Sequence, residues 1–266
     1  MVEGLGGEVE LDIVIPVYNE GKNIVAVMQS FAKYVKETRL RVLICYDNDD
    51  DNTLTALDEY DAPFPIVRVK NRGKRALGAI LTGFQQSTAN AVLVFPGDDD
   101  YNAPNIDRLM TAFRDGAEIV AASRFIEGGC MVGCPWLKAS LVRLSAFVLY
   151  HVARLPTRDA SNGLRLFSRR VLDTLRIESE VGFAYSIELL VKCHRLRWKI
   201  AEVPVEWYER KHGHSRFQVL KWLPEYLKWF RYAFETTYLR RGPESVARKT
   251  TAVESPSGVS TGRRLA

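Results

Sequence analysis

Short apolar runs that alternate with helix-patterned segments are the feature that most limits how this chain can fold. Five such runs occupy its first half: LDIVIPV (11–17), RVLICY (41–46), PIVRV (65–69), AVLVF (91–95) and AEIVAA (117–122). Their β-branched and nearly continuous apolar character is typical of strands buried on both faces of a parallel sheet. The segments between the runs repeat apolar residues at helical spacing. The alternation therefore predicts an α/β fold with a mostly parallel sheet flanked by helices.

Polar segments follow four of these runs, where each strand is expected to end. They are PVYNE (16–20), DNDDDNT (47–53), NRGKRALG (71–78) and GDDDYNAP (97–104). Sheets of this kind bind their ligands at the carboxyl ends of the strands. We therefore expect the four segments to meet at one edge of the sheet and to form the functional site.

Two acidic clusters, at 47–51 and 98–100, fall at this edge. Their mutual repulsion is costly unless a positive charge lies beside them, and a divalent cation is the simplest compensation. Asp98 and Asp100 share one side of an extended segment because side chains alternate. Two carboxylates so placed suit Mg²⁺ or Mn²⁺ that also binds substrate phosphates. The alternative is a solvated acidic turn that caps the next helix; the position at a strand end favours the metal site.

The segment RGKRALGAI (72–80) has the glycine spacing of a phosphate loop but not its chemistry. Ala79 and Ile80 stand where such a loop requires Lys and Ser or Thr, so a P-loop is excluded. What remains is a basic helix start with Arg72, Lys74 and Arg75. Such a start either binds an anion or is an ordinary solvated helix end.

Charge and composition narrow the choice of partners. The net charge of +5 suits an anionic partner. Nucleic acid is not expected, because no nucleic-acid motif is present and carboxylates at the ligand edge would repel a phosphate backbone. Four scattered cysteines do not make a disulfide scaffold and suit a reducing compartment. The N-terminal residues lack the basic start and apolar stretch of a signal peptide, which predicts a cytoplasmic protein.

The chain is expected to form one domain at 11–242, with a flexible N-terminus at 1–10 and a disordered tail at 243–266 that lacks periodic apolar residues. The apolar segment 139–153 is shorter than the about 18 residues needed to cross a bilayer. FQVLKWLPEYLKWFRYAFETTYLRR (217–241) has the pattern of an amphipathic helix with aromatic and basic residues. Such a helix either lies on a membrane surface or packs in a core. AFVLY (146–150) is a second candidate membrane contact.

Eight motifs follow one another between residues 11 and 235. They are IPVYNE (15–20), DNDDDNT (47–53), NRGKRALGAILTGF (71–84), GDDDYNAP (97–104), ASRF (122–125), DASNGLRLF (159–167), GFAYSIELLVK (182–192) and EVPVEWYERKHGHSRF (202–217). In this order they resemble the family 2 glycosyltransferases, and more narrowly the branch of dolichyl-phosphate, or polyprenyl-phosphate, mannosyltransferases. The resemblance implies a GT-A fold, in which a nucleotide-binding sheet is followed by a C-terminal acceptor region.

The resemblance also implies roles for individual residues. The donor nucleotide is expected to contact Pro16, Tyr18, Glu20, Asp47, Lys74 and Asp99. Asp98 and Asp100 match the DxD metal ligands, and with Asp159 they form the expected catalytic group. The acceptor phosphate is expected to contact Arg124, Lys138, Arg143, Arg210, Ser215 and Arg216. The second family motif usually reads DDGS or DDNS, whereas in this chain it reads YDND, at 46–49.

Together these roles imply an inverting, metal-dependent hexosyltransferase. It would move a hexose, with mannose as the candidate, from a GDP- or UDP-linked sugar to a polyprenyl or dolichyl phosphate, with Mg²⁺ or Mn²⁺ assisting the leaving diphosphate. A phosphate acceptor is already anionic and needs no general base, so Asp159 is expected to orient the pocket. The alternative is a sugar hydroxyl or another soluble acceptor, for which Asp159 would be the base. A lipid acceptor would place the enzyme at the cytoplasmic face of a membrane, with a membrane protein as a candidate partner.

Overall fold

The computed structural model describes residues 8–73, 75–209 and 219–250, except for the side chains of 219–221. Nine strands occur in these ranges: β1 (Leu11–Pro16), β2 (Leu40–Tyr46), β3 (Ile66–Lys70), β4 (Ala91–Val94), β5 (Ile119–Ser123), β6 (Cys130–Val132), β7 (Arg165–Ser168), β8 (Ile200–Pro204) and β9 (Glu206–Tyr208). Seven of them form one sheet in the order β3-β2-β1-β4-β7-β5-β8, and β6 pairs with β9 separately. The five strands predicted in the first half are β1 to β5, within two residues at each end.

Helices cover both faces of this sheet. In the described ranges they are α1 (Lys22–Tyr34), α2 (Asn52–Asp58), α3 (Arg75–Gln86), α4 (Ile106–Arg114), α5 (Trp136–Phe147), α6 (Arg169–Thr174), α7 (Ala184–Arg195) and α8 (Val219–Tyr238). α5 continues into a π-helical turn (Val148–Val152). One core contains Phe84 of α3, Tyr185 of α7 and Trp229 of α8, and the other contains Phe31 of α1 and Leu109 of α4. The layers are those expected from the alternating pattern.

The sequence pattern does not predict β7, which lies antiparallel between β4 and β5. Arg165 interrupts the apolar pattern of this strand, yet Arg165 is fully buried. The guanidinium donates to the carbonyl oxygens of Ser186 (2.7 Å), Asp159 and Ala160 (3.2 Å each). Because β7 runs against its neighbours, the residues that precede it arrive at the edge where β4 and β5 end.

Asp12 anchors the opposite edge of the sheet, at the start of β1, and is fully buried. Its carboxylate accepts hydrogen bonds from Arg41 Nε and Nη2 (2.7 and 2.9 Å), Ser87 Oγ (2.7 Å) and the amides of Thr88 and Ala89 (2.8 and 3.0 Å). Burial raises the pKa of Asp12, but these bonds lower it by more, so the pKa lies below its ordinary value. The cluster joins β1, β2 and the turn before β4.

α3 lies close against the sheet because Gly83 has no side chain. A Cβ atom at this position would lie 2.5 Å from Val14 Cγ1 and 2.9 Å from Cys45 Sγ. Both distances are shorter than ordinary van der Waals contacts, so a larger residue would push α3 away from β1 and β2.

The chain ends differ from the expected flexible segments. The tail expected from residue 243 begins with a packed stretch, in which Val246 is buried and the amide of Lys249 donates to Thr174 O (2.9 Å). Near the N-terminus, the Glu10 amide donates to Arg39 O (3.0 Å). One apolar side chain in the core and a few backbone bonds are enough to order these residues. Residues 1–7 and 251–266 lie outside the described ranges.

α8 packs onto α7 through the aromatic residues that suggested a membrane helix. Trp229 is buried, and its indole Nε1 donates to Ser179 Oγ (2.9 Å). Ala233 is buried on the same side, while Leu227 and Tyr238 are exposed. The core alternative therefore accounts for the inward face of α8. No helix in the described ranges is long and apolar enough to cross a bilayer.

Candidate active site

The acidic turn that follows β4 separates its three carboxylates. Asp98 is half-buried, Asp99 is buried and Asp100 is exposed. Asp99 accepts hydrogen bonds from the Asn102 amide (3.0 Å) and from Asn102 Nδ2 (2.7 Å). Burial raises the pKa of Asp99 to about 7. The two predicted metal ligands are therefore the more accessible pair, and Asp99, which we expected at the donor, lies beneath the turn.

Asn102 connects this turn to β9, a link that the sequence did not reveal. Its Nδ2 donates to Glu206 O (2.8 Å), and its Oδ1 accepts from the Glu206 amide (3.1 Å). The rings of Tyr101 and Tyr208 meet edge to face beside this link, with 5.0 Å between centroids. The only sequence signal was an Asp and an Asn three residues apart, which equally suits a helix cap. The acidic turn is thus fixed by a strand about a hundred positions later in the chain.

The donors at this turn fit a divalent cation that shares its ligands with a substrate. The described residues contain no cluster of three or more His, Cys, Asp or Glu side chains that could hold a metal ion. Two carboxylates, from Asp98 and Asp100, suit Mg²⁺ or Mn²⁺ that completes its shell with phosphate oxygens and water. The donor set therefore fits the predicted metal only together with a phosphate ligand.

The loop after β1 is held against the start of α2. The Asn19 amide donates to both Asp51 carboxylate oxygens (3.1 and 3.0 Å), and the Glu20 amide donates to Thr53 Oγ1 (3.0 Å). Asn19 has a φ of 55°, which Asn tolerates better than most residues. A Cβ atom on Gly97 would lie 3.3 Å from Glu20 Cγ, so the loop also touches the acidic turn. The predicted donor residues on this loop are Pro16, Tyr18 and Glu20.

Protein groups compensate much of the charge of the second acidic cluster, at 47–51. Asp47 Oδ1 accepts from Asn71 Nδ2 (2.5 Å), and Asp49 forms an ion pair with Lys70. Both partners come from the end of β3, which lies beside β2. In this cluster Asp49 has a protein cation as its partner and Asp47 has an amide donor, so the need for an added cation is greatest at the turn after β4. Asp47 lies beside the start of α3, because Asn71 Nδ2 also donates to Arg75 O (3.2 Å).

Arg124, which follows β5, and Asp159, which precedes β7, form a buried ion pair. Asp159 Oδ2 accepts from the Arg124 amide (3.0 Å) and Nε (2.7 Å), and Oδ1 accepts from Arg124 Nη2 (2.8 Å) and Ser161 Oγ (3.2 Å). The Asp159 side chain is fully buried. Burial lowers the pKa of Arg124, but Asp159 raises it by more, so the net shift is upward. Arg124 Nη1 lies 3.8 Å from the Met131 sulfur.

The two predicted acceptor ligands on α5 lie on different sides of that helix. Lys138 Nζ lies 3.6 Å from Glu209 Oε2, and 5.2 Å from the centroid of the Trp207 ring. Arg143 is five positions further on, about 140° around the helix. It lines a separate cavity of about 220 Å³ with Phe125, Ala146, Phe147, Tyr150, His151 and Arg158. Lys138 is therefore near β9, and Arg143 is not.

Four predicted site residues cannot be placed, because they lie outside the described ranges: Lys74, Arg210, Ser215 and Arg216. Residues 210–218 follow Glu209, which is next to β9 and pairs with Lys138. The chain therefore enters this stretch beside the strand that fixes the acidic turn.

Comparison with known proteins identifies the family. The model of "Glycosyl transferase family 2" matches residues 12–176, which is more than half of the chain. The chain belongs to glycosyl transferase family 2. This confirms the resemblance seen in the motifs, and the family 2 protein is accordingly an enzyme of the glycosyltransferase type.

Two curated relatives of this family 2 glycosyltransferase extend the comparison. The dolichol-phosphate mannosyltransferase of Pyrococcus furiosus is 22% identical over 230 residues, 83% of this chain. The match spans 64% of that protein, less than two thirds of its length. The polyprenol monophosphomannose synthase of Mycolicibacterium smegmatis is 27% identical over 212 residues, 77% of this chain and 79% of that protein.

Solved structures confirm the GT-A fold of the family 2 glycosyltransferase. Glucosyl-3-phosphoglycerate synthase from Mycobacterium tuberculosis, in complex with Mn²⁺, UDP and phosphoglyceric acid, superposes with a TM-score of 0.62. It shares 16% identity over 85% of this chain and 78% of that chain. The same protein with Mg²⁺ and UDP gives a TM-score of 0.60 at 18% identity, over 85% of this chain and 79% of that chain.

Proposed function

We propose that this glycosyltransferase moves a hexosyl unit, with mannose as the first candidate, from a nucleotide diphosphate sugar to a polyprenyl phosphate. The transfer is metal-dependent and inverts the anomeric configuration. The names of the two curated relatives, a dolichol-phosphate mannosyltransferase and a polyprenol monophosphomannose synthase, support a polyprenyl phosphate acceptor and a mannosyl group. The donor sugar is linked to GDP or UDP.

The saturated carboxylate of Asp159 is the observation that carries this proposal. A hydroxyl acceptor needs a general base within hydrogen-bond reach of its proton. Asp159 is fully buried, and both of its oxygens already accept hydrogen bonds from Arg124 and Ser161. A phosphate monoester needs no base, because its oxygen is anionic at neutral pH. The arrangement therefore favours an orienting role for Asp159 and a phosphate acceptor.

Arg124 is the group that Asp159 orients. Its Nε and Nη2 face Asp159 and Ser161, which fixes the plane of the guanidinium. Nη1 lies 3.8 Å from the Met131 sulfur, a weak acceptor that an acceptor phosphate at the end of β5 would replace. A guanidinium held in one plane binds phosphate oxygens with less loss of side-chain entropy than a mobile one. Lys138, beside Glu209, would add a second cation on the β9 side.

Donor binding is assigned to the loops after β1, β2 and β4. Asp98 and Asp100 would hold Mg²⁺ or Mn²⁺, which when bound supplies positive charge to the leaving diphosphate. Asp99, Asn102 and Glu206 keep the turn in shape beneath them. Asp47 and the loop that contains Pro16, Tyr18 and Glu20 would contact the nucleoside.

A lipid acceptor would bring this enzyme to a membrane surface. We assign it to the cytoplasmic face, as a peripheral protein, with a membrane protein as a further candidate partner. The net charge of +5 supports attraction to anionic headgroups.

The test is a transfer assay with matched acceptors. Purified protein is incubated with Mn²⁺, a panel of radiolabelled GDP- and UDP-linked hexoses, and one of three acceptors: a short polyprenyl phosphate, the same polyprenol without phosphate, or 3-phosphoglycerate. We expect labelled lipid only with the polyprenyl phosphate, and none when EDTA removes the metal. Transfer to the polyprenol or to phosphoglycerate, with none to the polyprenyl phosphate, would overturn the proposal and favour a hydroxyl acceptor.

A variant separates the two roles of Asp159. With the polyprenyl phosphate as acceptor, Asp159→Asn should raise the acceptor KM because Arg124 loses its partner, while donor KM changes little. The opposite result would identify Asp159 as a general base: both KM values stay unchanged in Asp159→Asn, and kcat no longer falls at acidic pH as it does in wild type.

A further inference from the structure

One face of α5 leaves large apolar side chains uncovered. Trp136, Leu137, Leu141, Leu144 and Phe147 are each between 53% and 78% exposed. At about 3.6 residues per turn they fall on one side of the helix, opposite the buried Ala139 and Ala146. Exposed apolar residues that stand singly need no explanation, but a contiguous face of this size is typical of an interaction surface.

The stretch of chain that contains this face has no acidic residue of its own, although Lys138 pairs with Glu209 beside β9. Residues 128–158 contain no Asp or Glu, but they contain Lys138, Arg143, His151, Arg154 and Arg158. Arg143 and Arg158 line the cavity of about 220 Å³ beside Phe125 and Phe147, and Phe125 follows Arg124 directly. An apolar face with a cationic border therefore lies next to the loop that carries the acceptor arginine.

Among the helices in the described ranges, α8 is the other one with exposed leucines, and it differs from α5 in charge. Leu223 and Leu227 are exposed on α8. Charged residues of α8 pair with one another, Lys228 with Glu225 (3.5 Å) and Arg231 with Glu235 (2.8 Å). Paired charges of both signs give α8 no preference for an anionic surface. On the α5 side Lys138 pairs with Glu209, whereas Arg143 and Arg158 form no ion pair with an acid of the described residues.

We propose that α5 docks on an anionic lipid bilayer, with its apolar face at the boundary of headgroups and acyl chains and with Arg143 and Arg158 against lipid phosphates. This proposal rests on the proposed function for its biological setting, since the lipid-linked acceptor would be met there. Aromatic and aliphatic side chains next to basic ones are what a helix uses to lie in this boundary.

Charge also argues against a second copy of the chain as the occupant of this face. In a two-fold contact the same patch meets itself, so Arg143 and Arg158 would approach their own copies without an acidic partner. A bilayer that contains anionic lipid instead supplies phosphate groups to these side chains. The bilayer is therefore the occupant that the charges favour.

The experiment compares two exposed leucines on the two helices. The full chain is sedimented with phosphatidylcholine vesicles, with or without phosphatidylglycerol, as wild type, Leu144→Glu and Leu227→Glu. Both leucines are more than half exposed, 59% and 54%, so neither change disturbs the core. We expect Leu144→Glu to weaken partitioning at least about tenfold, and Leu227→Glu to change it less than about twofold. Arg143→Gln should weaken binding about fivefold, but only with phosphatidylglycerol present.

Several outcomes would overturn the assignment. One is that Leu144→Glu partitions onto vesicles as well as wild type does, and another is that Leu227→Glu loses as much binding as Leu144→Glu. A third is that wild type does not bind vesicles but forms a dimer, which the Leu144→Glu substitution dissociates. Transfer to a water-soluble short-chain polyprenyl phosphate separates this proposal from the proposed function. If docking alone is lost, Leu144→Glu keeps wild-type turnover with that acceptor. If wild type binds vesicles but transfers to no polyprenyl phosphate, docking stands and the proposed function fails.

Discussion

Asp99 should change the pH dependence of folding stability in the direction opposite to that of most carboxylates. Its pKa rises from 3.8 to about 7, chiefly through burial. Between these values the folded state keeps the Asp99 proton while the unfolded state releases it. The folded state therefore binds more protons, and the stability contributed by Asp99 falls as the pH rises.

The size of this effect follows from the two pKa values. From pH 5 to pH 8 the proton linkage at Asp99 amounts to about two pKa units, or about 2–3 kcal/mol at about 1.36 kcal/mol per unit. Asn is close in shape to a protonated Asp and does not titrate. Asp99→Asn should therefore match wild type within about 1–2 kcal/mol at pH 5, allowing for one altered bond to Asn102, and gain about 2–3 kcal/mol on wild type by pH 8.

The assay is urea unfolding of wild type and Asp99→Asn at several pH values, in EDTA so that no cation favours the ionised turn. Asp100→Asn is the matched control: Asp100 is exposed in the same turn, and its replacement should leave the pH dependence of wild type unchanged. A difference between wild type and Asp99→Asn that stays constant from pH 5 to pH 8, or that moves in favour of wild type, would refute the reasoning.

Three further predictions concern the metal turn and the packing of the sheet. Asp98→Ala and Asp100→Ala should each lower transfer about a hundredfold or more and weaken Mn²⁺ binding measured by calorimetry; turnover near wild type in either variant contradicts the metal assignment. Asp12→Asn should lower the free energy of unfolding by about 3–5 kcal/mol at neutral pH. Because the pKa of Asp12 is lowered in the folded state, wild type should lose this advantage over Asp12→Asn as the pH falls below about 4. A difference in urea midpoint between the two proteins that does not change with pH contradicts the reasoning. Gly83→Ala should cost about 1–3 kcal/mol in thermal unfolding, because its Cβ would lie 2.5 Å from Val14 Cγ1; an unchanged melting temperature contradicts this packing.

The strands that could be predicted are those with both faces buried in apolar surroundings. β1, β2 and β4 show this as continuous apolar runs, so their ends, and the polar segments after them, could be located from the sequence. β7 could not, because Arg165 breaks its pattern, and the carbonyl oxygens that accept from its two terminal nitrogens are brought near only by the folded chain. The rule that ligands bind after strands points away from Asp159, which precedes β7, and only the motif resemblance singled it out.

The sequence also does not predict which side of an apolar helix is exposed at the surface. The same spacing of aromatic residues suits a core helix and an interfacial helix, and Trp229 of α8 turned out to face α7. In α5 the apolar residues surround the whole helix, so nothing in the pattern tells which side the domain covers. Leu144 is exposed and Ala146 is buried because of where the rest of the chain packs against α5.

The hydrogen bonds between Asn102 and Glu206 have a consequence for folding during synthesis of the chain. In a growing chain the acidic turn is made first, and the strand that fixes this turn is synthesised about a hundred residues later. Until then the Asn102 side chain lacks the backbone partner that holds it, and three neighbouring carboxylates repel one another in an unanchored loop. Donor capture should therefore begin only after Glu206 has been synthesised and β9 has formed.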